Sequence, residues 1–315
     1  MRRRTRGAAG GAARRAPGHA AGHVTGHTAG EAAGHTAGPA VTTGVVVACS
    51  GGLALVLLAA SVVVPVVGTA VGEGGAPPVE ATWADDFDGP AGSPPDAAAW
   101  TAQTGSGGWG NDELQTYTAD AAVLDGDGHL VITATIGADG QATSGRITTQ
   151  TKRSFGAGTV AARIRLPDGT GLLPAFWLLG DSVETIGWPA AGEVDVVETP
   201  FSTGTSTHLL HGGTLNAPTT DAQAGGDAVH DVPLSGDFHV FAVTRSADAV
   251  TWTIDDEVVQ RVDRASAPDG LRWVFTQPFH VLFSLAVGGR WPGSPDETTP
   301  VESRMVVDWV RATEG

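Results

Sequence analysis

Beyond residue 83 of this 315-residue chain, apolar and polar positions alternate in short runs broken by Gly, Pro and Asp. Alternation with period 2 sends successive side chains to opposite faces of a strand, so that one face can be buried. His129–Ile136 (HLVITATI), Thr159–Leu166 (TVAARIRL) and Phe238–Arg245 (FHVFAVTR) read this way. Val250–Val262 sets Val250, Trp252 and Ile254 against Thr251, Thr253 and Asp255, with Asp255-Asp256 as a hairpin turn. His280–Val287 and Arg304–Ala312 complete the set, and no 12-residue stretch has helical periodicity. Many short strands with turn punctuation predict an all-β protein, a sandwich of two antiparallel sheets or jelly roll.

One strand breaks the rule. GEVDVVETP (Gly192–Pro200) holds Glu193, Asp195 and Glu198 among valines. Strict alternation puts Glu193 and Asp195 on one face and Glu198 on the other. A β-bulge among Val196 and Val197 would shift the register by one residue and return Glu198 to the face of the other two. Three acids on one sheet face repel one another and are costly unless they serve a purpose. Four effective steps of about 3.3 Å separate the Glu193 and Glu198 Cα atoms by roughly 13 Å, and side chains leaning inward would bring the carboxyls to about 5 Å. That is the spacing of a retaining glycosidase, about 5–5.5 Å, although the estimate alone also admits inversion.

Composition divides the chain. Of 34 acids only Glu31 lies in the first 72 residues, against six of the 18 Arg and Lys. The remainder is strongly acidic and would be repelled by phosphate backbones, which argues against a nucleic-acid partner. Residues 1–43 form a basic, low-complexity leader with Gly, Ala and spaced His (His19, His23, His27, His35), read as a solvated tract and not as a metal site. No charged residue lies between Glu31 and Glu73. Residues 44–72 therefore predict a signal peptide or, because Val45–Val71 can span a bilayer, an uncleaved signal-anchor. Residues 73–82 read as a linker, and 83–315 as one domain. The single Cys, Cys49, lies in the apolar run, so a cleaved product would have no disulfide.

GWPAAGEVDVVE resembles the active-site strand of glycoside hydrolase family 16, whose bulged signature is Glu-x-Asp-x-x-Glu. The resemblance runs from about Trp83 to Arg311. It takes in GGWGNDELQTYT (Gly107–Thr118), the block Ser144–Gly180, QPFHVLFSLAVGGRWPG (Gln277–Gly293) and SRMVVDWVRA (Ser303–Ala312). It implies a jelly roll with a concave substrate cleft and a retaining mechanism: Glu193 as nucleophile, Glu198 as acid/base, and Asp195 holding and tuning the nucleophile. The bulged strand together with AVGGRWPG is similar to endo-β-1,3-glucanases (laminarinases), which implies a laminarin-type polysaccharide substrate. Other β-glucan or galactan hydrolases, transglycosylases and non-catalytic glucan-binding relatives are the alternatives, and retention of all three acids argues against the last.

Sugar faces need flat apolar surfaces and a few fixed polar partners. Trp109, Trp177, Trp188 and Trp291 match cleft segments of the family, although each could be a core residue instead. Trp252 and Trp309, in mid-strand, are expected in the core. Asn111, Glu113 and Arg146 match polar positions that contact sugar or support the nucleophile, with a surface salt bridge as the other reading of Arg146. His211 resembles a cleft-facing His. Ser284 stands where the family commonly has Asn. No cofactor is implied for catalysis. A structural Ca²⁺ is, with Asp308 as its ligand, where a solvated acid is the alternative. A secreted monomer is expected, or one tethered to the membrane only through its N-terminal segment.

Overall fold

Every residue of the strand Phe279–Val287 is buried, although its sequence reads as a mix of large and small side chains. Two-sided burial is typical of a strand covered on both faces. Here Val281, Phe283 and Leu285 enter the core, each burial contributing about 1.5–3 kcal/mol. Ser284 and Ala286 point the other way and floor a cleft. The strand sits near the middle of its sheet, which explains both faces.

The computed structural model describes residues 81–214 and 216–315. The leader at 1–43, the apolar segment at 44–72 and most of the 73–82 linker lie outside the described residues. Seventeen strands follow in chain order: β1 (Trp83–Asp85), β2 (Thr101–Ala102), β3 (Gln115–Tyr117), β4 (Ala122–Leu124), β5 (Leu130–Ile136), β6 (Ala142–Ser144), β7 (Arg146–Thr148), β8 (Gly158–Arg165), β9 (Leu172–Gly180), β10 (Glu193–Glu198), β11 (Thr205–Gly213), β12 (Asp221–Val229), β13 (His239–Arg245), β14 (Ala249–Ile254), β15 (Glu257–Asp263), β16 (Phe279–Val287) and β17 (Glu302–Glu314). One sheet runs β12-β11-β10-β9-β16-β7-β2. The other runs β15-β14-β13-β8-β17-β5-β6-β3, with β1 on β17 and β4 on β5. All pairings between these strands are antiparallel except β3 with β6. The sole α-helix among the described residues, Val183–Ile186, has four residues.

The expected strands are present within a residue or two at each end. The β14–β15 turn falls at Asp255 and Asp256, whose φ angles of 50° and 69° are those of a two-residue hairpin loop. Asp255 tolerates the left-handed backbone because its carboxylate accepts from the Val240 N–H at 2.8 Å and contacts His239 Nδ1 at 2.6 Å.

Trp252 is in the core as expected, fully buried. Trp309 is not. A register shift between Val307 and Trp309 makes Asp308 an extra residue. Met305 and Val307 point inward before it, Val310 and Ala312 after it. Trp309 is thereby turned outward, where it is half-buried with the Arg311 guanidinium 5.0 Å from its ring.

Arg245 is an unusual core member, 1% exposed. Its guanidinium donates to the carbonyls of Phe155, Gly156, Phe275 and Gln277 and lies 4.7 Å over the Phe279 ring. Burial lowers its pKa to about 10. Four carbonyls replace the counter-ion it lacks, which fastens two loops to β13.

Candidate active site

The acid strand β10 bulges where its parity required it. Against β9, Asp195 pairs with Trp177 but Val197 with Phe176, so Val196 is the extra residue. Against β11 the shift falls between Asp195 and Glu198. Val194, Val196 and Val197 are all in the core, while Glu193, Asp195 and Glu198 line one cleft of about 840 Å³. The bulge is held from beneath. Trp252 crosses from the opposite sheet and donates its indole N–H to the Asp195 carbonyl at 2.8 Å. The fully buried His208 on β11 contacts the Val196 carbonyl through Nδ1 at 2.7 Å. The carbonyl accepts, so Nδ1 carries a proton. Nε2 then accepts from the Ser206 hydroxyl at 2.8 Å, which leaves the ring neutral. Burial lowers its pKa to about 4, consistent with that form.

Burial raises the pKa of Glu193, and the charge of Asp195 adds to it, while His211, Arg146 and the Trp188 indole N–H (3.2 Å) pull it back. Burial also raises Glu198, where Asp195, Glu193 and Glu113 add to the shift and His211 opposes it. The two glutamates are thus distinguished by their neighbours. Arg146 and Trp188 favour the charged form of Glu193, while the surrounding acids favour a proton on Glu198.

His211, directly opposite Glu193 in the β10–β11 register, makes an ion pair with Asp195 at 3.3 Å through Nε2. Its Nδ1 meets Asp221 Oδ2 at 2.9 Å. Burial works against its charge, but Asp195 first, then Glu193 and Asp221, outweigh burial and raise its pKa to about 10. Glu193, Asp195 and His211 bring donor atoms within 4.8 Å of one another, a spacing that could suit a metal ion. Both ring nitrogens of His211 face carboxylates, however, so the ring is an imidazolium without a lone pair to give.

The walls are aromatic. Trp109, Trp177, Trp188 and Trp291 all line the cleft, as do Asn111, Glu113 and Arg146. Arg146 is not in a surface salt bridge. Its guanidinium lies between the rings of Trp109 (4.9 Å) and Trp177 (4.7 Å) and donates to Gln103 Oε1 at 2.6 Å. Trp109 has φ 45° within a loop of positive-φ glycines and packs edge-on against Tyr117 at 5.2 Å. Glu113 accepts from Gln115 Nε2 (2.6 Å) and the Tyr117 hydroxyl (3.1 Å). Asp112 and Arg290 join the Trp109 loop to the Trp291 loop at 2.7 Å. Ser284 accepts from the Trp177 indole N–H at 3.2 Å, bracing that ring from the floor.

The sequence reading missed the far wall. Thr207, Gln223 and Asp227 line the cleft from β11 and β12, with Thr207 donating to Asp227 at 2.8 Å. Phe201, 63% exposed, packs edge-on against Trp291 at 6.4 Å. Asp308, expected as a calcium ligand, accepts from Arg163 Nη1 at 2.5 Å. A guanidinium therefore already supplies a positive charge beside one oxygen of this carboxylate.

A two-sheet sandwich with clustered acids on the floor of a cleft and indoles along its walls defines a polysaccharide-cleaving jelly roll. The family model "Glycosyl hydrolases family 16" matches residues 110–311, and the chain belongs to that family. It is 35% identical over 253 residues to a beta-glucanase of Rhodothermus marinus, covering 75% of this chain and 85% of that one. It is 34% identical over 229 residues to a glucan endo-1,3-beta-glucosidase of Cryptopygus antarcticus, covering 67% and 81%. The laminarinase catalytic domain of Thermotoga maritima superposes with a TM-score of 0.67 at 33% identity, over 75% of this chain and 98% of that one. The protein is a glycoside hydrolase of an endo-glucanase family, with a polysaccharide substrate.

Proposed function

We propose that the protein hydrolyses internal β-1,3 bonds of a laminarin-type glucan with retention of configuration. The carrying observation is the Val196 bulge, which sets Glu193, Asp195 and Glu198 together on the floor of a Trp-walled cleft. In the first step a Glu193 oxygen attacks the anomeric carbon and the bond to the leaving sugar breaks. Glu198 gives its proton to the departing oxygen. Asp195 holds Glu193, and the His211 cation offsets its charge. In the second step Glu198, now a carboxylate, takes a proton from water. The water oxygen bonds to the anomeric carbon, and Glu193 leaves as a carboxylate. The Trp walls fit sugar faces, and Asn111, Glu113 and Arg146 supply fixed polar contacts.

The choice of β-1,3-glucan is supported by the names of the relatives from Cryptopygus and Thermotoga. The acidic body and the uncharged run after a basic leader support a monomer exported from the cell, cleaved or membrane-tethered, with no nucleic-acid partner. Reducing-end release from laminarin, mixed-linkage glucan and galactan, with the first-formed anomer followed by NMR, tests the reading. Laminarin should be cut fastest and the β-anomer should appear first. Faster cleavage of galactan, or an initial α-anomer, would overturn it.

A further inference from the structure

We infer that Asp221, on the strand beyond His211, is a positioning residue that keeps His211 a permanent cation beside the nucleophile, an inference that rests on Glu193 being that nucleophile. The geometry carries it. β12 pairs with β11 so that Gln223 lies opposite His211 and Asp221 opposite Gly213. Asp221 therefore reaches His211 diagonally on the cleft face. Its Oδ2 meets His211 Nδ1 at 2.9 Å and is braced by the Gln223 amide at 2.7 Å. Its Oδ1 is buried without a hydrogen-bond partner, so the side chain's polar contacts go to the His211 side alone.

The other ring nitrogen of His211 faces Asp195 Oδ2 at 3.3 Å. A neutral imidazole has one donor and one acceptor nitrogen, so a carboxylate at both is favourable only if both are protonated. Glu193 and Asp195 face the ring from β10, Glu198 of the same strand also feels its charge, and Asp221 faces it from β12. The Trp188 ring lies 5.8 Å away, and Gln223 is neutral. Among the described residues Arg146 is another cation that acts on Glu193. Three carboxylates thus surround one imidazole, and the outermost never meets the sugar-cleaving acids directly. Its role is to keep the proton on His211, so that a positive charge is already in place when Glu193 becomes a carboxylate in the second step.

The test is a 15N NMR titration of His211 together with pH–rate profiles on laminarin, for wild type, Asp221→Asn and Asp221→Glu. In wild type both ring nitrogens should carry protons at pH 8. A neutral ring there would overturn the inference without any variant. Asp221→Asn keeps the shape and removes the charge. His211 should then lose its proton at least about one pH unit lower, and kcat should fall about tenfold above that pH with KM little changed. Asp221→Glu should restore most of both. If His211 titrates in Asp221→Asn as in wild type, or titrates lower while the kcat profile stays put, the inference fails. The assignment of Glu193 stands apart from these outcomes, because it falls only if Glu193→Ala keeps wild-type activity.

Discussion

The bulge that aligns the acids depends on a side chain from the other sheet, and Trp252→Phe tests that dependence. The substitution removes one indole N–H, which reaches the Asp195 carbonyl at 2.8 Å, and part of a ring that is fully buried. A buried carbonyl left without its donor costs about 1–3 kcal/mol. The shrunken side chain leaves a cavity costing about 1–2 kcal/mol more, less than the ~3–5 kcal/mol of truncating a core aromatic to Ala. Together about 2–5 kcal/mol is lost, or a fall in Tm of roughly 4–20 °C for a domain of this size. Activity should fall further than stability explains. The freed carbonyl belongs to Asp195 and lies at the start of the bulge that leads to Glu198, and a displacement of about 1 Å in a reacting group costs on the order of 100-fold. Thermal melts by circular dichroism and kcat on laminarin, measured well below the variant's Tm, separate the two effects. Trp309→Phe, on the outward side of β17, serves as the control and should shift Tm by no more than about 2–4 °C. A Trp252→Phe protein that melts within about 2 °C of wild type, or melts early but keeps wild-type kcat while folded, would refute the reasoning.

Glu198→Ala should lose about 100- to 10,000-fold on laminarin but keep activity on an aryl glucoside with a good leaving group. Azide should speed that variant and give a product of retained configuration; equal losses on both substrates without azide rescue would remove Glu198 as acid/base. Arg146→Met removes a cation that favours ionised Glu193. Glu193 must be charged to attack, so the acid limb of kcat/KM should move up by about one pH unit, while the alkaline limb, set by loss of the Glu198 proton, stays in place. Because Arg163 already pairs with Asp308, melts in EDTA and in millimolar Ca²⁺ should give the same Tm; a calcium-dependent rise that Asp308→Asn abolishes would show that the ion displaces the arginine.

Much of this was legible in the residues. Alternation gave β5, β8, β13, β14 and β17, an apolar run between turn residues gave β16, and the acid spacing required a bulge that is present at Val196. What escaped notice has physical reasons. Strand β12 (DAQAGGDAV) is an edge strand with few buried positions, so nothing selects an alternating apolar face, and its Gly225-Gly226 pair reads as a turn. Asp221, Gln223 and Asp227 were lost with it. Strand β9 is apolar on both faces because one fills the core and the other lines the cleft, so it carries no periodic signal. Trp309 was misplaced because the Asp308 bulge, unlike that in β10, has no charged triplet to announce a change of parity. Arg245 has no local mark at all, because its partners are loop carbonyls that the fold alone brings within reach. Arg146 was expected at the site through the resemblance, but its place between two indoles was not.

The pairing around Val196 also bears on how this strand can change length during evolution. A one-residue insertion or deletion in a strand ordinarily swaps its two faces from that point onward. Here both neighbours pass the extra residue without a gap in their own numbering: Trp177 and Phe176 on β9 remain consecutive partners, and Leu209 and Thr207 on β11 keep their usual interval. Deleting Val196 would therefore leave Glu193, Asp195 and Glu198 on a common face by plain alternation. Every pairing of β9 and β11 would stay where it is. The extra residue behaves as an optional letter in the strand, and lineages could gain or lose it without passing through an ancestor whose acids point apart. What such a change would forfeit is the Val196 carbonyl that His208 now grips, so that side chain should drift once the residue is gone.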